Sequence, residues 1–82
     1  MATKEVVLTI IDVVVRSQDN EFNLTRIYRL CNVHKKDRTK EKKITQVVES
    51  LENRSIIVST RQHSGETWYR VPEPEKLFNL IE

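Results

Sequence analysis

Gly65 is the only glycine in this 82-residue chain, and that scarcity limits what the chain can fold into. A chain with one glycine has no glycine-rich loop to cradle phosphates and no dinucleotide-binding fingerprint. The one glycine sits between two segments of strand character, residues 56–62 and 67–71. Glycine enters positive φ at little steric cost, so His63-Ser64-Gly65-Glu66 is the natural reversal between them. Closing the hairpin symmetrically about Ser64-Gly65 sets Val58 opposite Val71, Thr60 opposite Tyr69 and Arg61 opposite Trp68. One face then carries Ile56, Val58, Tyr69 and Val71, and the other Ser59, Arg61, Trp68 and Arg70. That consistency supports the register.

Upstream of the hairpin the apolar period changes from two to about 3.6. The first segment is rich in β-branched residues, which favour strands, but alternation fails because Thr9 and Asp12 would fall on opposite faces. As a helix over residues 3–17, Glu5, Thr9, Asp12 and Arg16 form one polar stripe, with Thr3 as N-cap and Glu5 in the first turn. Eight of the ten residues from 6 to 15 are apolar, more than one core-facing stripe needs, so two buried sides are expected. Glu21-Phe22 follows a turn as a short extended stub. Asn23 caps a second helix over residues 24–32, with Leu24, Ile27, Tyr28 and Cys31 on one face and Asn32 as terminator. Asp37 or Thr39 caps a third, over residues 38–54, with Ile44, Val48 and Leu51 facing inward. Pro72 and Pro74 end the hairpin, and a short helix over residues 74–81 carries Leu77, Phe78, Leu80 and Ile81.

At 82 residues the chain is expected to be one domain. Cys31 is the only cysteine, which excludes an intramolecular disulfide and suits a reducing compartment. Cys31-x-x-His34 and His63-x-x-Glu66 resemble a zinc ligand set on paper, but Cys31 lies on an apolar stripe and His63 at a hairpin tip, too far apart for one ion. No carboxylate pair or activated nucleophile is recognisable, so no enzyme, cofactor or metal site is expected. The apolar run from residue 6 to 15 spans about 15 Å as a helix, half of a roughly 30 Å hydrocarbon core. It contains Asp12, and no small-residue cleavage site follows it, so a soluble, intracellular protein (cytoplasmic, nucleoid or nuclear) without membrane contact is expected.

Helix, extended stub, helix, helix and hairpin is the order of a winged helix-turn-helix domain. The segment Ile44-Thr-Gln-Val-Val-Glu-Ser-Leu-Glu-Asn-Arg-Ser-Ile-Ile resembles that family's recognition helix running into its first wing strand. Gly65-Glu-Thr-Trp-Tyr-Arg-Val resembles the glycine turn and aromatic second strand. Where many relatives carry a glycine after the recognition helix, this chain has Asn53-Arg54-Ser55, and Asn53 is the candidate for the left-handed position. The resemblance implies an α+β, mainly α, fold with a three-helix core, a β-hairpin wing and a short C-terminal helix. It also implies sequence-selective binding of double-stranded DNA by a transcription regulator. In the winged helices that bind left-handed DNA, a lysine, an asparagine and a tyrosine recur on the third helix. The matching positions here are Glu41, Thr45 and Glu49, whose acids would repel phosphate.

The formal net charge of +2 hides a segregation. Residues 24–46 hold eight cations against two acids, a net +6, while residues 1–23 and 73–82 are each at −2. A basic block over the helix-turn-helix is the footprint of a surface aimed at phosphate. With Ile44, Val48 and Leu51 inward, Thr39, Lys42, Lys43 and Gln46 lie outward or to the side. Lysine reaches guanine acceptors in the major groove and glutamine pairs with adenine. Lys35, Lys36 and Arg38 stand at the helix entry, where backbone amides also favour phosphate. Arg61 and His63 on the wing are candidates for the neighbouring groove or phosphates, and Trp68 opposite Arg61 is expected to be a packing or cation–π partner. The terminal helices suggest a homodimer through helix 1 and the C-terminal helix. The competing reading is a winged-helix protein–protein interaction module in a larger transcription or other complex.

Overall fold

The computed structural model describes residues 2–34 and 37–81. Among the described residues the chain is α+β and mainly helical, with four helices and a three-stranded antiparallel sheet. The order is α1 (Thr3–Arg16), β1 (Glu21–Asn23), α2 (Leu24–Leu30), α3 (Arg38–Asn53), β2 (Val58–His63), β3 (Glu66–Arg70) and α4 (Pro74–Phe78). A single 3-10 turn, Asn79–Ile81, completes the described chain. Among the described residues no helix is long and apolar enough to cross a membrane.

The helix ends follow local side-chain chemistry. Asn23 Oδ1 accepts from the Arg26 backbone N–H at 2.7 Å, and Asp37 Oδ1 accepts from that of Lys40 at 3.2 Å, so both residues act as N-caps. Helix α1 differs from expectation, because Ala2 is its N-cap and makes no side-chain bond, while Thr3 is already helical. Helix α2 stops at Leu30 and not at residue 32. Asn32 has φ +57°, and the Asn32 and Val33 amides donate back to Arg29 and Tyr28 carbonyls, a Schellman motif. The same motif closes α3 at Asn53, one residue earlier than expected. There the left-handed residue is Ser55, φ +59°, and not Asn53. Ser55 and Ile56 amides bond to Glu52 and Leu51 carbonyls, which fixes the left-handed position two residues beyond the last helical one.

The sheet order is β1-β3-β2, so the extended stub is a strand in its own right, paired with β3. Ser64 and Gly65 both have positive φ, +53° and +79°, the signature of a two-residue type I′ turn. Near the turn the register is the symmetric one, with Arg61 opposite Trp68. Beyond it a bulge at Thr60 shifts the pairing, so Ser59 and not Thr60 faces Tyr69, and Val58 faces Arg70 and not Val71. Alternation counts one residue per pairing step, and a bulge adds one to a single strand. Thr60 Oγ1 donates to the Trp68 carbonyl at 3.3 Å. Strand β2 accordingly begins at Val58, while Ile56 and Ile57 precede it in the core.

The core joins one face of each helix to one face of the sheet. Val6, Ile10 and Val14 of α1 meet Ile27 of α2 and Ile44, Val48 and Leu51 of α3, with Phe22, Ile57, Val71 and Leu77. Phe22 stacks on Tyr69 at 5.4 Å between ring centroids, tying β1 to β3. The second apolar side expected for α1 is only partly covered. Leu8 is 43% and Val15 65% exposed, although α4 and the 3-10 turn both pack against α1. The C-terminal helix folds onto α1 of its own chain, with Leu77 fully buried. Its last turn tightens to 3-10 at residues 79–81, where the expected helix continued regularly.

Candidate nucleic-acid interface

Helix α3 buries Ile44, Val47, Val48 and Leu51, and the 3.6-residue period turns Arg38, Thr39, Lys42 and Gln46 to solvent. These four and Lys43 line one shallow surface groove of about 470 Å³. Five of the nine sequence-predicted site residues thus share a single concave surface that has no carboxylate in its lining. Among the described residues Arg38, Lys42 and Lys43 form no ion pair. Lys40, by contrast, lies 3.8 Å from Asp37 Oδ2 at the helix entry. Lys35 and Lys36 lie outside the described residues.

The electrostatic character changes around the helix, on the other side of the shared Arg38, Lys42 and Gln46. An adjoining depression of about 540 Å³ includes Glu41 and Glu49 beside Arg38, Lys42, Thr45 and Gln46. Thr45 is turned toward α2, where its Oγ1 shares a 2.9 Å hydrogen bond with the Tyr28 hydroxyl. That bond adds a polar tie between α2 and α3 beside the apolar packing of Ile44, Val48 and Leu51. Tyr69 is pushed above its ordinary value of 10.0 by burial first, then by Glu52, Tyr28 and Glu49. The second half of α3 therefore presents an acidic flank toward the sheet.

The two hairpin candidates are placed differently. His63 pairs with Glu66 across the Ser64–Gly65 turn and is exposed at its tip. Arg61 does not reach toward the α3 groove. Its guanidinium carbon lies 4.8 Å from the Trp68 ring centroid, and its Nη1 lies 3.6 Å from Glu21 Oε2 on β1. The cation–π pairing expected from sequence is present, and the carboxylate of Glu21 adds a second hold on the same cation. Glu21 is the residue that pattern reading misses, because its place beside Arg61 depends on the β1–β3 pairing.

Two further cations outside the sequence-predicted set, Lys4 and Arg54, flank Lys43 around a groove between α1, α3 and the 3-10 turn. Lys4 sits in an acidic stretch of sequence and Arg54 in a neutral one, so segment averages conceal both. Among the described residues no group of three or more His, Cys, Asp or Glu is arranged to hold a metal ion. Cys31 packs against the core, its Sγ 3.8 Å from Thr9 Oγ1. Comparison with known proteins returned no match to a family model, to a curated protein or to a solved structure.

Proposed function

We propose that this chain is a winged helix-turn-helix domain that binds double-stranded DNA selectively and regulates transcription without catalysing a reaction. The observation that carries this reading is the carboxylate-free groove on the outward face of α3, lined by Arg38, Thr39, Lys42, Lys43 and Gln46. Lysine and glutamine carry the donors that read guanine and adenine edges, and Arg38 at the first turn is suited to a phosphate. Helix α3 is 16 residues long and enters this role through its N-terminal half, since Glu49 and Glu52 make the other half unfavourable for a polyanion. The hairpin supplies His63 at its tip, and Arg61 serves to stiffen it through Trp68 and Glu21.

Binding should be strongly salt-dependent. With about six phosphate contacts per subunit the log–log slope of affinity against salt is near −5. The test is fluorescence anisotropy on random-sequence duplexes, followed by selection from a randomised pool, comparing wild type with Lys42→Ala/Lys43→Ala. Weaker binding by the variant at equal fold stability supports the reading. Identical behaviour of the two proteins, or binding indifferent to salt, overturns it. A palindromic consensus would further support a homodimer, for which exposed Leu8 and Val15 on α1 are the available apolar contacts.

A protein-interaction role is the second reading. It is favoured by Glu41 and Glu49 beside the basic groove, a mixed-charge surface suited to a polypeptide partner. Failure of every duplex to bind would move the assignment there.

A further inference from the structure

We infer that the groove between α1, α3 and the 3-10 turn is a binding site for a linear amphiphilic carboxylate, and that its occupation opposes DNA binding. The second half of this inference rests on the DNA-binding reading; the first half does not. The groove has a volume of about 520 Å³, within the usual range of about 300–1,000 Å³ for small-molecule sites. Its floor is apolar, made by Val7, Val47 and Leu51 with the half-buried Leu80 and Ile81. Its rim carries three cations, Lys4, Lys43 and Arg54, and among the described residues the lining includes no carboxylate. Among the described residues none of the three is in an ion pair.

An occupant that satisfies both halves of this surface needs an apolar body for the floor and a single anionic head for the rim. A fatty-acyl carboxylate has that form. A sugar phosphate would leave the floor without an apolar partner, and a neutral lipid would leave the cations without one. The coupling to DNA comes from shared side chains, since Lys43 and Gln46 line this groove and the basic groove alike. A carboxylate drawn to Lys43 occupies a cation that DNA would otherwise use and adds a negative charge beside the phosphates.

The test uses decanoate below its micelle concentration, with decanol, butyrate and decylammonium as comparisons, titrated into the full chain by calorimetry and amide NMR. Decanoate should bind with a dissociation constant on the order of 0.1 mM, and each comparison ligand about tenfold or more weaker. Lys4→Glu/Arg54→Glu, both at exposed positions, should weaken decanoate binding about tenfold or more without lowering thermal stability. Lys42→Ala, outside this groove, should leave decanoate binding unchanged. In the second arm, decanoate should lower duplex affinity for wild type and not for Lys4→Glu/Arg54→Glu.

Equal binding of decanol and decanoate, or no loss in the charge-reversed variant, overturns the site. So does a groove closed by a second copy, seen as self-association that Ile81→Asp abolishes. Decanoate binding by a protein that binds no duplex leaves the ligand site standing and refutes only the DNA reading. Decanoate binding with unchanged duplex affinity refutes the coupling.

Discussion

Truncating Leu77 to alanine tests whether the C-terminal helix belongs to its own domain. Leu77 is fully buried and is the one buried residue of α4, which packs on α1. Leu→Ala substitutions at enclosed sites cost about 2–5 kcal/mol, the spread reflecting how far the cavity collapses. Helix α4 has only five residues, so it can settle partway into the space. The expected cost is therefore about 3 kcal/mol. A chain of this size has a total stability of roughly 4–12 kcal/mol, so the loss is a large fraction of it. The midpoint of thermal unfolding should fall by about 12–24 °C. Far-UV circular dichroism and urea titration, run at protein concentrations about tenfold apart, measure it. A cost under about 1 kcal/mol would refute the argument. So would a wild-type midpoint that climbs with protein concentration while the variant's does not, since α4 would then be covering a second copy.

Three other outcomes are expected. Ser55→Gly, at φ +59°, removes the strain of a left-handed serine and should raise stability by about 0.5–1 kcal/mol, seen as a higher urea midpoint with unchanged slope. Because the folded-state pKa of Tyr69 is raised, its contribution holds below the ordinary tyrosine value of 10.0 and is lost as pH rises through the folded-state value. Alkaline unfolding above that point should be delayed in Tyr69→Phe, as followed by near-UV circular dichroism. Arg38→Ala, which removes a phosphate contact, should make the salt slope of duplex binding shallower by about one, as anisotropy against salt concentration would show, whereas His63→Ala should leave it nearly unchanged.

The helices were legible because their signals are local. The spacing of Ile44, Val48 and Leu51 puts one face inward, and Asn23 and Asp37 cap as their short polar side chains allow. The reversal at Ser64–Gly65 was equally legible, since Gly65 enters positive φ without a steric penalty, but the positive φ of Ser64 that makes the turn type I′ was not. The bulge at Thr60 was not, because nothing in its residue type marks an extra position in the strand. Nor was the left-handed Ser55, which takes that conformation because the Schellman closure falls there.

For the candidate site the division is similar. Helical period and the apolar stripe leave Arg38, Lys42 and the neutral Gln46 no side but the outward face of α3. How the remaining charges are used depends on tertiary packing. The third strand brings Glu21 to Arg61 across forty positions of sequence and holds that guanidinium on Trp68. Packing of the 3-10 turn against α1 draws Lys4, Lys43 and Arg54 around one apolar groove. Periodicity reports which way a side chain points from its own element, but the company it keeps depends on which elements pack together.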